Sequence, residues 1–282
     1  MQAIQTNNLD FATELREDID ANRIRLPSLP DVALRVKKAA EGESSAHEIA
    51  HLIAQDIALA GRIVQIANSP LYRGAAEVDS IQVAVTRLGT RLVKGLVIGL
   101  AMRQMFNSSS KVLSQFFREI WGDGIQVAAI CRILADQIPE LDPEEAMLAG
   151  LLHNIGALPI LARLDEVHAD HIGAKEVQQL LDELAPKTGT QILRSWQLPE
   201  ALIAVPEGCH VLQRDSGPLV DYVDVVLASR LQYLVSEGFL DVTPELSDLP
   251  ALEKLGIHFE VVVMEQKSDA IWSTQLRNAF DC

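Results

Sequence analysis

The chain has 282 residues, enough for one large domain or two modest ones with a sizeable core. Its 24 Lys+Arg against 39 Asp+Glu give a formal net charge of −15, which argues against nucleic acid as a default partner: a phosphate backbone repels such a chain unless its basic residues cluster. Hydrophobic residues at 48% exclude a disordered polymer, and Cys131, Cys209 and Cys282 form neither a disulfide framework nor a CxxC zinc pattern, which points to a reducing, cytoplasmic compartment.

The polar, acidic first residues lack the basic-then-apolar order of a signal peptide. Residues 96–102 and 146–162 are apolar. The first run is bounded by Lys94 and Arg103, and the second is interrupted by His153, Asn154 and Pro159. Neither reaches the roughly 18 uninterrupted residues of a membrane span, so both are expected to be buried helices.

In chain order, helical periodicity dominates. A first helix opens at Asp31 and ends at Gly42. Ser45 with Glu48 has the form of a capping box ahead of Ile49, Leu52 and Ile53. Asp56 is the next expected N-cap, leading to a stop at Asn68-Ser69-Pro70. Ser80 restarts a helix that Gly89 breaks, and Thr90 is expected to cap a long apolar helix to about Phe106. The serine run 107–111 reads as an exposed connector and internal boundary. Helices follow near 112–137, 143–154, 158–164, 173–184, 186–196, 199–205 and 218–236, with Pro139, Pro143, Pro159, Pro186, Pro199 and Pro218 at or near their starts. Residues 257–264 fit a strand or a helix start equally well.

Several motifs occur together. Leu26-Pro-Ser-Leu-Pro-Asp-Val-Ala is followed by Ile53-Ala-Gln-Asp-Ile-Ala-Leu, Ile66-Ala-Asn-Ser-Pro-Leu-Tyr and Ile81-Gln-Val-Ala-Val-Thr-Arg-Leu-Gly. Then come Pro143-Glu-Glu-Ala-Met-Leu-Ala-Gly-Leu-Leu-His-Asn-Ile-Gly and a Gly189-x-x-Ile-Leu-x-x-Trp-x-Leu-Pro pattern. From about residue 26 to 231 the chain resembles the HDOD family, a regulatory branch of the HD metal-dependent phosphohydrolase superfamily. The resemblance implies an all-α fold, with a helical N-terminal part packed on an HD-like multi-helical bundle. It also implies a role in bacterial signalling rather than turnover. The expected divisions are a 1–25 extension, a 26–110 helical part, a 111–235 bundle and a 236–282 extension.

HD hydrolases hold one or two divalent metals with His and Asp side chains on several helices, centred on an adjacent His–Asp pair. The chemistry needs neutral imidazoles, anionic carboxylates and an open position for water. Here His153 stands where the pair's His belongs, but Asn154 replaces the Asp and brings no charge. The superfamily's earlier His would fall near residues 121–124, where Asp123 is the only substitute. The next would fall near Ala185, and of a late His-His pair Cys209 and His210 remain. The closing Asp would fall near Ser229, with Asp221 and Asp224 one or two turns off register. His153, Asn154, His210 and Asp123 therefore read as a relic pocket, with no catalysis, no metal and no cofactor expected. Cys209 reads as a small buried hydrophobe.

Other candidates have plainer readings. The turn of residues 87–91 resembles a helix-turn-helix, but the following helix is too apolar for a DNA groove. His47 and His51 share a helix face without a further ligand, and His168 and His171 flank Asp170 in a loop. Asn68, Ser69, Pro70 and Tyr72 match the family's most recognisable segment, either as a helix stop or as a partner-contact surface. The expected function is a non-catalytic signalling module that binds other signalling proteins. The alternatives are a phosphohydrolase using His153, Asn154, His210 and Asp123, and a module sensing a nucleotide or other small molecule in the relic pocket.

Overall fold

The computed structural model of the chain describes residues 12–257, except residues 22, 43, 71, 73, 75, 106–109 and 167–172. The fold is all-α, and no strand occurs among the described residues. Residues 12–20 form α1. Then come α2 Asp31–Glu41, α3 Ala46–Ile53, α4 Ile57–Ala67, α5 Ile81–Leu88 and α6 Thr90–Met105. The second part runs through α7 Lys111–Ala135, α8 Pro143–Leu152, α9 Ala157–Glu166, α10 Ala174–Ser195, α11 Glu200–Ile203, α12 Val205–Gly208 and α13 Tyr222–Ser236. It closes with α14 Pro244–Ser247 and α15 Pro250–Leu255.

Side-chain caps set many of these starts. The Ser45–Glu48 capping box is formed in both directions, and Asp56, Ser80, Ser110, Asp142 and Asp221 each accept a first-turn amide. Thr90 is not a cap. Gly89, at φ +81°, ends α5, and its carbonyl accepts the Val93 amide, so Thr90 is already the first residue of α6.

The two helices expected on either side of Pro186 are one, because α10 runs through the proline. A proline removes an N–H and crowds the carbonyl four residues back, at a cost of about 3 kcal/mol. The buried stripe of Leu180, Leu181 and Leu184 before it continues as Thr188, Ile192 and Leu193 after it, and burial of that whole face outweighs one lost bond. The expected helix 199–205 is instead the pair α11 and α12. The start expected near Pro218 moves to Asp221, whose capping box fixes it. The serine connector 107–109, the loop with His168, Asp170 and His171, and residues 258–264 lie outside the described residues.

The core of the second part is α7 and α8, packed with α13 across them and α10 against α9 and α12. Two glycines permit close approach. A Cβ on Gly150 would stand 2.7 Å from the Ala128 Cα, and one on Gly156 would stand 1.9 Å from the Ala185 carbonyl oxygen. Gly156 thereby brings the turn after α8 onto the middle of α10. The apolar stretch Pro143–Glu166, the one segment among the described residues long and apolar enough to cross a membrane, is mostly buried inside the fold.

The first part is joined to this bundle by burial and by polar ties. Leu15 and Ile19 of α1 are buried, while Arg16 pairs with Glu183 on α10 at 2.6 Å. Buried Lys94 meets Glu145 at 3.2 Å, and Arg91 meets Asp142 at 2.6 Å. The Trp196 indole donates to the Pro27 carbonyl (2.8 Å), and buried Lys37 donates to that of Gln197 (2.8 Å). Lys37 and Lys94 are thus buried lysines whose charge is met by a carboxylate.

Candidate functional site: a relic metal pocket

Three helices present one face each to a cavity of about 290 Å³. Helix α7 supplies Ile120, Asp123 and Val127; α10 supplies Gln178, Leu181, Asp182 and Ala185; α13 supplies Arg230, Tyr233 and Leu234. These spacings of three and four residues each define a single helical face. The turn after α8 adds His153 and Asn154, and the turn after α12 adds His210. The four predicted relic residues His153, Asn154, His210 and Asp123 therefore line one cavity. Ala185, the position expected to have lost a histidine, lines it too.

His153 is held as a metal-ligating imidazole would be. Its Nδ1–H donates to the Gly150 carbonyl at 2.6 Å, which leaves the Nε2 lone pair free. The ring is buried (2% exposed), and burial, reinforced by the charge of Arg230, pulls its pKa down to about 3. His210 is lowered to about 4 by the same two causes. Both imidazoles are neutral at physiological pH.

The rest of the donor set does not fit a divalent metal. Asn154 is uncharged, and the Asp123 carboxylate accepts the Tyr233 hydroxyl at 2.6 Å. Asp182, an exposed residue of the cavity lining, accepts the Gln178 amide at 2.8 Å. Asp221 and Asp224 are not near misses for the closing ligand. They form the capping box of α13 and are bound by Arg214, with Lys254 also on Asp224. Ser229 is buried beside Cys131. Among the described residues no group of three or more His, Cys, Asp or Glu could hold a metal ion.

Sequence reasoning missed Arg230. Its Nη1 donates to the Cys209 carbonyl, and its Nη2 lies 3.5 Å from the His210 Nδ1. That contact assigns His210 Nδ1 as acceptor and Nε2 as the N–H. A cation thus stands among the imidazoles, where a metal would otherwise supply the positive charge. The signal was present, since Arg230 follows the position of the missing Asp and shares a helical face with Tyr233. Residue identity at one position does not say which neighbour takes its place.

Burial raises the Cys131 thiol to about 12, and it also raises Cys209, so neither is a nucleophile at neutral pH. His47 pairs with Gln82 on the surface, and α6, the helix after the 87–91 turn, is buried along Leu92–Met102. Asn68 braces its loop, because its amide donates to the Val78 carbonyl (2.7 Å) and accepts the Val78 amide (2.8 Å). Tyr72 packs half-buried on the core, where burial pushes its hydroxyl pKa up; Pro70 is exposed.

Helices in this arrangement, with a His–Asn pair at the head of the cavity, define an HD-like helical domain. The chain belongs to the HDOD family, whose domain model matches residues 26–210. It is similar over 98% of its length to a structure from Shewanella amazonensis SB2B described as a proposed metal-dependent phosphohydrolase. The TM-score is 0.81, with 27% identity and all of that chain covered. An HDOD domain protein of unknown function from Geobacter sulfurreducens shares the fold at a TM-score of 0.71 and 21% identity, over 98% of this chain and 99% of that one. A proposed signal transduction protein from Marinobacter aquaeolei VT8 does so at 0.66 and 23%, over 98% of this chain and 65% of that one. An uncharacterized protein of Treponema pallidum (strain Nichols) is 25% identical over 210 residues, which cover 71% of this chain. The match spans 40% of that protein's length.

Proposed function

We propose that this chain is a non-catalytic regulatory module of bacterial signal transduction, acting by contact with other signalling proteins. The observation that carries the reading is the donor set of the cavity: two imidazoles, an amide and two carboxylates already engaged by neighbours, with a guanidinium among them. An imidazole pair whose neighbouring carboxylates are already hydrogen-bonded to Tyr233 and Gln178 holds a divalent ion weakly, and a fixed cation beside it opposes binding further. The framework around the cavity is intact, and the Marinobacter neighbour described as a signal transduction protein shares it. The exposed end of the Asn68–Pro70 stop is a reasonable place for such contact, since its backbone is already braced from within.

The second reading is a metal-dependent phosphohydrolase using His153, Asn154, His210 and Asp123. It is favoured by the Shewanella likeness and by the ligand-like orientation of His153. Elemental analysis of chelator-free protein, with phosphoester hydrolysis assayed across added divalent metals, separates the two. Sub-stoichiometric metal and no turnover are expected. Metal-dependent hydrolysis that disappears in His153→Ala would overturn the regulatory reading.

A further inference from the structure

One charge lining the cavity, that of Arg230, has no counter-charge in contact with it. Arg230 is partly buried, yet it pairs with no carboxylate among the described residues. Its acceptors are the carbonyl and sulfur of Cys209 and the ring of His210, all neutral. A partly desolvated guanidinium bonded only to neutral acceptors is well placed to take an anion. Nearby, the amide of Asn154 has no partner among the described residues. The His153 ring bonds only through Nδ1, so its Nε2 is an acceptor without a donor in an almost wholly buried side chain.

We propose that Arg230 replaces the lost metal and makes this cavity a metal-independent site for a small, singly charged oxyanion that carries its own proton. Dihydrogen phosphate and the monoprotonated head of a phosphomonoester have that chemistry. The inference rests on the non-catalytic reading above. Arg230 and the His210 N–H donate to the unprotonated oxygens, and His153 Nε2 accepts the P–OH proton. A guanidinium donor, an imidazole N–H donor and one imidazole acceptor distinguish a protonated oxyanion from a fully deprotonated one.

Size and charge limit the ligand. A volume of about 290 Å³ lies at the lower end for small-molecule sites. The remaining charges lining the cavity are the carboxylates of Asp123 and Asp182, held by Tyr233 and Gln178. They disfavour a multiply charged ligand such as a nucleoside triphosphate. No chemistry follows binding, because nothing in the cavity activates a water beside the phosphorus.

The test is titration of the full chain with inorganic phosphate by calorimetry at about pH 6.5 in EDTA, where much of the phosphate is the singly charged dihydrogen form, with sulfate in parallel. Phosphate should bind and sulfate should bind at least tenfold more weakly. Arg230→Gln, checked for folding by circular dichroism, should lose phosphate affinity at least tenfold. No phosphate binding by the wild-type chain, or equal binding of sulfate, overturns the proposal without any variant. Undiminished binding by folded Arg230→Gln overturns it as well. Binding abolished by EDTA overturns it and counts against the non-catalytic reading too. Absence of binding together with absence of metal and turnover sinks this inference alone.

Discussion

Helix α13 carries two polar clusters built on opposite principles. At its N-terminus, fully buried Asp224 is surrounded by Arg214 (2.9 Å), Lys254 (3.0 Å) and Ser216 (3.1 Å), while Asp221 takes the second arm of Arg214. Less than two turns further on, Arg230 faces the cavity with neutral acceptors only. The first cluster is closed: each charge has its opposite, and it ties α15 and the loop before α13 to the bundle. The second is open, as expected of a site that leaves a place for something else. A packed fold tolerates a buried charge when the counter-charge is built in, and otherwise only where a cavity gives water or a ligand access.

Breaking the closed cluster should cost most. Asp224→Ala leaves two desolvated cations without their carboxylate, and unfolding in guanidinium chloride should show a loss of about 3–5 kcal/mol. If the loss is under about 1 kcal/mol, the cluster is not the closed network that its geometry describes.

Acid should act on the open site next. His153 has its folded pKa lowered to about 3, whereas an unfolded histidine titrates near 6.5. The unfolded chain therefore binds this proton first, and its contribution to stability is present above about pH 6.5 and is lost as pH falls towards 3. The slope is about 1.4 kcal/mol per pH unit, or about 3 kcal/mol by pH 4. A pH series of denaturation midpoints on wild type and His153→Gln checks this: the variant should lack that part of the slope.

Gly156→Ala probes the wall that positions the site. A methyl group there meets the α10 backbone at Ala185 and Gly189, so α10 and the His153 turn must separate, at about 1–3 kcal/mol. Phosphate binding should weaken with it, whereas the Asp224 cluster, on another face of α13, should be unaffected. The smallest effect belongs to Arg230→Gln, within about 1 kcal/mol in either direction. Removing a poorly compensated cation relieves desolvation while one hydrogen bond to Cys209 is lost. A loss above about 3 kcal/mol would make Arg230 a structural strut instead.

Much of the scaffold was legible because it is written locally. Ser45 with Glu48, Asp56 and Ser80 announce helix starts through side chains that reach only two or three residues ahead, so their signals do not depend on the rest of the fold. The same locality misled at Pro186, where a proline that reads as a start lies inside α10. The burial that sustains the helix on both sides comes from α9, α11 and α12, which the local sequence does not contain.

The relic residues were legible one by one, and their gathering into one cavity follows the order in which the resemblance places them. What stayed hidden was the substitute. The resemblance marked Asn154, Ala185 and Ser229 as positions where a ligand would be expected. That Arg230 turns its charge among the imidazoles depends on how α13 is rotated, and Tyr222, Val225 and Val226 set that rotation by burying the other faces of the helix. The sequence by itself determined an all-helical chain, and its resemblance marked the positions where HD metal ligands would be expected and other residues stand. Only the tertiary structure decided that a cation stands beside the imidazoles, because side chains from five separate segments meet there through packing that no local spacing records.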